Sequence, residues 1–133
     1  MLSVLLDTHI LLWWRSDAGG LTPTQRRTLQ ELERKGSPVA ISAITLWELA
    51  NLVACGRRRI TVPLDAWLEE LENHPLIAVL PLTARVVADS VQLGVDFHKD
   101  PADRIIVATA RCHGLRLMTA DQRIRRWGRV PLI

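Results

Sequence analysis

Four acidic residues in this chain, Asp7, Glu48, Asp103 and Asp121, are attached to apolar segments rather than to polar surface. Asp7 closes the run Met1-Leu-Ser-Val-Leu-Leu, and Asp121 follows Leu115-Arg-Leu-Met-Thr-Ala. Both runs read as strands. An acid directly after a buried parallel strand stands at its carboxyl end, at the mouth of the crevice where open α/β sheets bind ligands. Glu48 lies within Ile44-Thr-Leu-Trp-Glu-Leu-Ala-Asn-Leu-Val, a segment apolar almost all round, as a buried helix is. A carboxylate buried there costs on the order of several kcal/mol unless it is paired, protonated or bound to a cation. Asp103 stands at the first turn of a helix opened by Asp100-Pro101 and nearly wholly apolar through Ala110. Carboxylates crowded into one crevice repel and raise one another's pKa unless a cation joins them. Such oxygen ligands suit Mg²⁺ or Mn²⁺. A centre of that kind activates water and screens a phosphodiester during in-line hydrolysis.

Each acid also has an ordinary structural assignment, and residue type alone leaves these open. Asp7 and Asp121 would serve as helix N-caps. Glu48 would pair with Arg58 or Arg59. Asp100 reads foremost as a cap, with Asp103 three residues on completing something like a capping box. Glu31, Glu33, Glu69, Glu70 and Glu72 come mixed with other polar residues and read as solvated surface.

The elements that would carry the acids alternate along the chain. A strand ending at Asp7 leads into a short apolar helix from His9 to Trp14, broken at Asp17-Ala-Gly-Gly20. Thr22-Pro23 opens a helix to about Lys35, with Leu29 and Leu32 inward, and Gly36-Ser-Pro38 ends it. Val39 to Ile41 is a strand, Ser42 caps a helix from Ala43 to Ala54, and Arg57 to Pro63 is a basic connector. A helix from Leu64 to Asn73 turns Trp67, Leu68 and Leu71 to one face; Ile77 to Leu80 is a strand. Thr83 caps a helix to about Leu93, Gly94 to Lys99 is a loop, and Asp100 starts the helix to His113. Leu115 to Met118 is a strand, a short basic helix follows Asp121, and Val130 to Ile133 forms an edge strand. This alternation predicts an α/β three-layer sandwich, a central mainly parallel sheet flanked by helices, in a single domain over residues 1–133.

The totals fit one globular domain: 48% hydrophobic and 23% charged residues leave room for a conventional core. No apolar stretch is long enough to span a bilayer, and Asp7 interrupts the N-terminal apolar run, so we expect a cytoplasmic protein without a leader or membrane anchor. Cys55 and Cys112 lack metal or redox spacing and read as reduced, buried thiols. The net charge of +3 is carried almost entirely by arginine, clustered at Arg57-Arg58-Arg59 and at Arg123, Arg125, Arg126 and Arg129. Such clusters suit a polyanion.

With these residues in hand, the chain resembles a PIN domain of the VapC toxin type, found in bacterial toxin–antitoxin pairs. The matching stretches are Leu-Leu-Asp-Thr-His at 5–9, Ser-Ala-Ile-Thr-Leu-Trp-Glu-Leu at 42–49, Asp-Pro-Ala-Asp-Arg at 100–104 and Leu-Met-Thr-Ala-Asp at 117–121. They are spread over nearly the whole chain in the family's order. The resemblance implies a metal-dependent endoribonuclease acting as a toxin. Asp7 and Asp103 would be the core ligands of Mg²⁺ or Mn²⁺, Glu48 and Asp121 would bind directly or through water, and Thr8 and Thr119 would support them. Asp100 would be an accessory acid or the cap. It further implies an RNA substrate, a homodimer, and a cognate antitoxin protein whose C-terminal segment covers the acidic groove.

Other function classes fit less well. A receiver-like phosphotransfer domain needs a second N-terminal acidic pair and a later strand-end lysine, and neither is present. A D-x-D-x-T phosphatase needs an acid where His9 stands. The alternative that remains is a catalytically silent PIN-like module that binds RNA or protein. His9, His74, His98 and His113 share no metal spacing, and His9 reads as structural. Trp13 and Trp14 are adjacent and are not expected to face inward together, which suggests one of them for the dimer mate or the antitoxin. Arg57, Arg58 and Arg59, with Arg123 and Arg126, are the candidates for holding RNA phosphates.

Overall fold

The computed structural model describes residues 1–16 and 19–133. Asp17 and Ala18, at the expected break after the first helix, lie outside the described residues. The chain runs β1 (Val4–Leu6), α1 (Thr8–Ser16), α2 (Pro23–Lys35), β2 (Val39–Ser42), α3 (Ala43–Ala54), α4 (Leu64–Glu72), β3 (Ile77–Leu80), α5 (Ala84–Val91), α6 (Pro101–His113), β4 (Arg116–Met118) and α7 (Gln122–Trp127). The strands form one parallel sheet in the order β3-β2-β1-β4. This is the α/β sandwich that the alternation of elements predicts. Val130 to Ile133 falls short of the expected edge strand: Leu132 makes a single bridge to Leu117.

Strand periodicity sorts the core into two layers. Val4, Leu6, Val39, Ile41 and Met118 point to one face of the sheet, where Ile10, Leu11, Leu29 and Leu49 from α1, α2 and α3 cover them. Leu5, Ala40 and Leu117, offset by one residue, point to the other face, against Ile106, Val107 and Ala110 of α6 and Ile124 of α7. Every residue of β1 is buried, because helices cover both faces of an interior strand. Leu5, Leu6 and Leu117 are fully enclosed, and each such side chain contributes roughly 2 kcal/mol by leaving water.

The register sets the site. Val4, Leu5 and Leu6 lie opposite Arg116, Leu117 and Met118, and the Asp7 N–H continues the ladder by donating to the Met118 carbonyl at 3.0 Å. The chain segments leaving β1 and β4 therefore depart side by side from the carboxyl edge of the sheet. Two sequence expectations need correction. Helix α3 is not buried all round: Thr45 and Leu49 are enclosed, whereas Trp47 is 61% exposed. Its apolar outer face meets solvent instead of a second layer. Cys55 is exposed and Cys112 half-buried, because each lies at the carboxyl end of a helix rather than in its packed stripe; both are free thiols.

Candidate functional site

Asp7 is the most enclosed acid among the described residues, at 7% exposure. Its Oδ1 accepts the Thr8 N–H at 2.8 Å and its Oδ2 accepts the Thr119 hydroxyl at 2.6 Å. Thr119 follows β4 and is itself held from behind. Its carbonyl accepts from Gln25 of α2 at 3.2 Å and from Arg125 of α7 at 3.1 Å. Thr8 opens α1 and donates its hydroxyl to Glu48 Oε1 at 2.6 Å, while Thr45 hydrogen-bonds to the same hydroxyl oxygen at 3.1 Å. Glu48 pairs with neither Arg58 nor Arg59; Thr8 is its partner among the described residues.

Helix α6 brings the third acid. Asp100 is its N-cap, with Oδ1 accepting from the N–H groups of Ala102 and Asp103, and Pro101 takes the first helical position. The reciprocal half of a capping box is missing, because Asp103 Oδ2 turns to the His98 ring at 2.6 Å. Asp121 caps α7 by accepting from the Arg123 N–H at 2.8 Å and also receives the Arg123 guanidinium. The same guanidinium stands 3.6 Å from Asp103 Oδ2. Ligand atoms of His98, Asp103 and Asp121 all lie within 4.8 Å of one another, the spacing of a group able to hold a metal ion.

Burial and mutual repulsion shape the charges. Desolvation pushes Asp7 above its ordinary value, more than the Thr119 and Thr8 hydrogen bonds lower it, and Asp121 adds repulsion. Glu48 is raised by desolvation and then by the charges of Asp7, Asp103 and Asp100, against the lowering bond from Thr8. Asp103 is raised in the same way, by desolvation and by Asp7 and Asp100, with His98 opposing. Asp121 goes the other way: burial pushes it up, but the hydrogen bonds and charge of Arg123 outweigh that and leave it lowered. The donor set therefore fits a hard divalent cation. It is rich in carboxylate oxygens, it is electrostatically unsatisfied, and neither Glu48 Oε2 nor Asp103 Oδ1 accepts a hydrogen bond among the described residues.

Two clefts meet this cluster. One, about 720 Å³, reaches it at His98 and Arg123 and is lined further by Phe97, Lys99, Arg126 and Trp127. The other, about 590 Å³, reaches it at Glu48 and Asp100 and is lined by Ile44, Trp47 and Leu82. Among the arginines named from sequence, Arg123 touches the acids and Arg126 lines the adjoining cleft. Arg58 lines a different cleft with Arg15, Trp67 and Glu70, and Arg57 and Arg59 are exposed. Trp13 and Trp14 both pack against the core and line a cavity of about 350 Å³ with Leu21 and Leu29; Trp14 also hydrogen-bonds to Glu33. Helix α2, packed beside α1, lets two adjacent tryptophans find cover together. His9 is exposed and leans on Trp13.

Sequence spacing missed two participants. His98 shares no ligand spacing with another histidine, yet the loop before α6 folds back and sets it on Asp103. Arg104 ties that loop down through the carbonyls of Ser90, Gly94, Phe97 and His98. The one available signal was composition: a polar His-Lys-Asp run followed by Arg104 inside an otherwise apolar helix.

Among the described residues, no helix is long and apolar enough to cross a membrane. The PIN domain family matches residues 4–130. The chain is 36% identical to Ribonuclease VapC22 of Mycobacterium tuberculosis over 125 residues, covering 94% of this chain and 92% of that one. Among solved structures it is similar to a toxin–antitoxin complex from Klebsiella pneumoniae at 25% identity and a TM-score of 0.65, covering 98% of this chain and 96% of that one. It is also similar in fold to VapBC2 from Rickettsia felis bound to a promoter DNA fragment, at 17% identity and a TM-score of 0.71, over 100% of this chain and 98% of that one. On the match over nearly its full length and the relative above one-third identity, this chain belongs to the PIN domain family.

Proposed function

We propose that this protein is a metal-dependent endoribonuclease, the toxin of a toxin–antitoxin pair acting in the cytoplasm, with Asp7, Glu48, Asp103 and Asp121 holding Mg²⁺ or Mn²⁺. The observation that carries this reading is the convergence of carboxylates from separate elements, three of them pushed up in pKa by burial first and by the charge of neighbouring carboxylates in part. Its close relative is named a ribonuclease, and a structural neighbour is a toxin–antitoxin complex, which supports the same reading.

The chain's own groups divide the work. Thr8 and Thr119 fix the oxygens of Asp7 and Glu48, so the acids keep their places while a substrate arrives. A bound divalent cation supplies positive charge against the phosphodiester and makes water a stronger acid. Arg123 and Arg126, with Lys99, border the cleft beside the acids and would hold the flanking phosphates. Asp100 serves mainly as the cap of α6. A homodimer and a cognate antitoxin belong to the same reading.

The test is cleavage of total cellular RNA by purified protein freed of any antitoxin, with Mg²⁺, with Mn²⁺ and with EDTA, beside an Asp7→Asn variant. Discrete fragments should appear only with metal and only with the unaltered protein. Fragments that persist in EDTA, or in the variant, would refute the assignment; RNA retained without cleavage would favour the silent binding module.

A further inference from the structure

Asp103 is held asymmetrically. Its Oδ2 lies 2.6 Å from His98 Nε2 and 3.6 Å from the Arg123 guanidinium, while its Oδ1 accepts no hydrogen bond among the described residues. With Asp103 ionised, as a cation ligand must be, its carboxylate only accepts, and the imidazole nitrogen in that contact carries the proton. Both side chains are largely enclosed, at 14% and 13% exposure, so the contact is not a loose surface pair.

The surroundings of His98 are built to keep it there. Its ring stacks on Phe97 with centroids 4.4 Å apart and planes inclined by 22°. Phe97 is itself buried and meets the edge of Trp127 at 5.0 Å. The Arg104 guanidinium donates to the carbonyls of His98 at 3.0 Å, Ser90 at 3.2 Å, Gly94 at 3.1 Å and Phe97 at 2.8 Å, and packs 5.5 Å from the Phe97 ring centre. Arg104 directly follows Asp103, so one turn of α6 carries both the acid and the clamp for the loop that presents the histidine to it.

Resting on the reading of this cluster as a divalent-cation site, we propose that His98 is a positioning residue of that site: its Nε2–H anchors Asp103 Oδ2 and leaves Oδ1 free to bind the cation. A carboxylate fixed by one oxygen loses less freedom on binding metal, and partners of this kind typically change affinity about 10- to 100-fold when removed. Geometry sets a rival within the same cluster. Because a His98 ring nitrogen also lies within 4.8 Å of ligand atoms of Asp103 and Asp121, the histidine would be a direct nitrogen ligand if a ring proton gave way to the metal.

The experiment is Mn²⁺ titration by calorimetry on the unaltered protein, His98→Ala and His98→Gln, with pulsed electron paramagnetic resonance of the Mn²⁺-loaded protein to detect ¹⁴N coupling. We expect His98→Ala to bind Mn²⁺ at least about 10-fold more weakly. His98→Gln, which keeps an N–H donor at similar reach, should recover most of the affinity, and the unaltered protein should show no histidine ¹⁴N coupling. Equal affinity of His98→Ala and the unaltered protein would overturn the inference while leaving the nuclease reading intact. Histidine ¹⁴N coupling would overturn it in favour of direct ligation. No Mn²⁺ binding by the unaltered protein would remove the inference and the cation site together. Should His98→Ala fail to fold, His98→Gln decides alone: a loss as large as 10-fold with the donor retained counts against the proposal.

Discussion

A carboxylate at 7% exposure with two hydrogen bonds is secure in position but not in charge. Asp7 sits above its ordinary pKa because burial outweighs the donors that face it. Its ionised form is therefore a strain on the metal-free fold. Asparagine keeps an oxygen for the Thr8 N–H and faces the Thr119 hydroxyl with an amide, which that hydroxyl can accept. We predict that Asp7→Asn abolishes RNA cleavage yet unfolds in urea, with EDTA present, no earlier than the unaltered protein. A urea midpoint at or above that of the unaltered protein is expected, because the raised pKa marks the ionised form as the costly one; a lower midpoint would show that the carboxylate serves the fold. The same shifts fix a pH dependence. Asp7, Glu48 and Asp103 are raised, so between about pH 4 and their folded pKa values the folded chain keeps protons that the unfolded chain has released. Stability of the metal-free protein should then fall as pH rises through that window. Asp121, lowered by Arg123, and Glu31, lowered by Arg34 and Lys35, contribute in the opposite sense, with stability present at higher pH and lost as pH falls. They are two groups against three, and the pairing of Glu31 is fully exposed and screened by solvent. Urea midpoints from pH 4 to 7 in EDTA should decline, and added Mg²⁺ should flatten the decline. A rise with pH in EDTA would contradict the raised values.

At the scale of elements, the site depends on how α6 and the loop before it are fastened. Asp7 and Asp121 were legible because apolar strands lead into them, whereas the pairing of β1 with β4 that sets the two side by side came only with the register. Asp100 was legible as a cap, since Asp-Pro before an apolar run has little else to be. The exposed side of α3 was not legible: apolar residues on that face signal burial whether or not a layer covers them, and Trp47 has none among the described residues. Nor was the His98–Asp103 contact, which depends on the path of a loop with no periodicity of its own. Arg104 fixes that path through four carbonyls from Ser90, Gly94, Phe97 and His98. Lysine carries the charge but not the planar fork. We predict that Arg104→Lys costs about 2 kcal/mol, since hydrogen bonds from charged donors are worth more than neutral ones. Hydrogen–deuterium exchange should quicken at the amides of residues 94–98. Unchanged exchange there would mean that the loop holds itself.

Across the whole molecule, a cluster of acids must be approached by a polyanion, and the excess of positive charge has to lie where it helps. The net charge of +3 says nothing of placement. The cleft beside His98 and Arg123 carries Lys99 and Arg126, whereas Arg58 lines a separate cleft between α1, α3 and α4. Arg123 is also engaged by Asp121 and Asp103, so Lys99 and Arg126 are the cations of that cleft whose removal tests phosphate binding without disturbing the acids. Each phosphate contact on a single strand steepens the dependence of binding on salt by about 0.7 in the log–log slope. In an Asp7→Asn background, which removes cleavage from the measurement, Lys99→Gln with Arg126→Gln should therefore flatten the slope by roughly 1.4. Arg57→Gln with Arg59→Gln should leave it within error. The reverse result would put the RNA across α3 and α4 and away from the cleft at His98. Equal effects from both pairs would mean a strand long enough to reach both sets of cations.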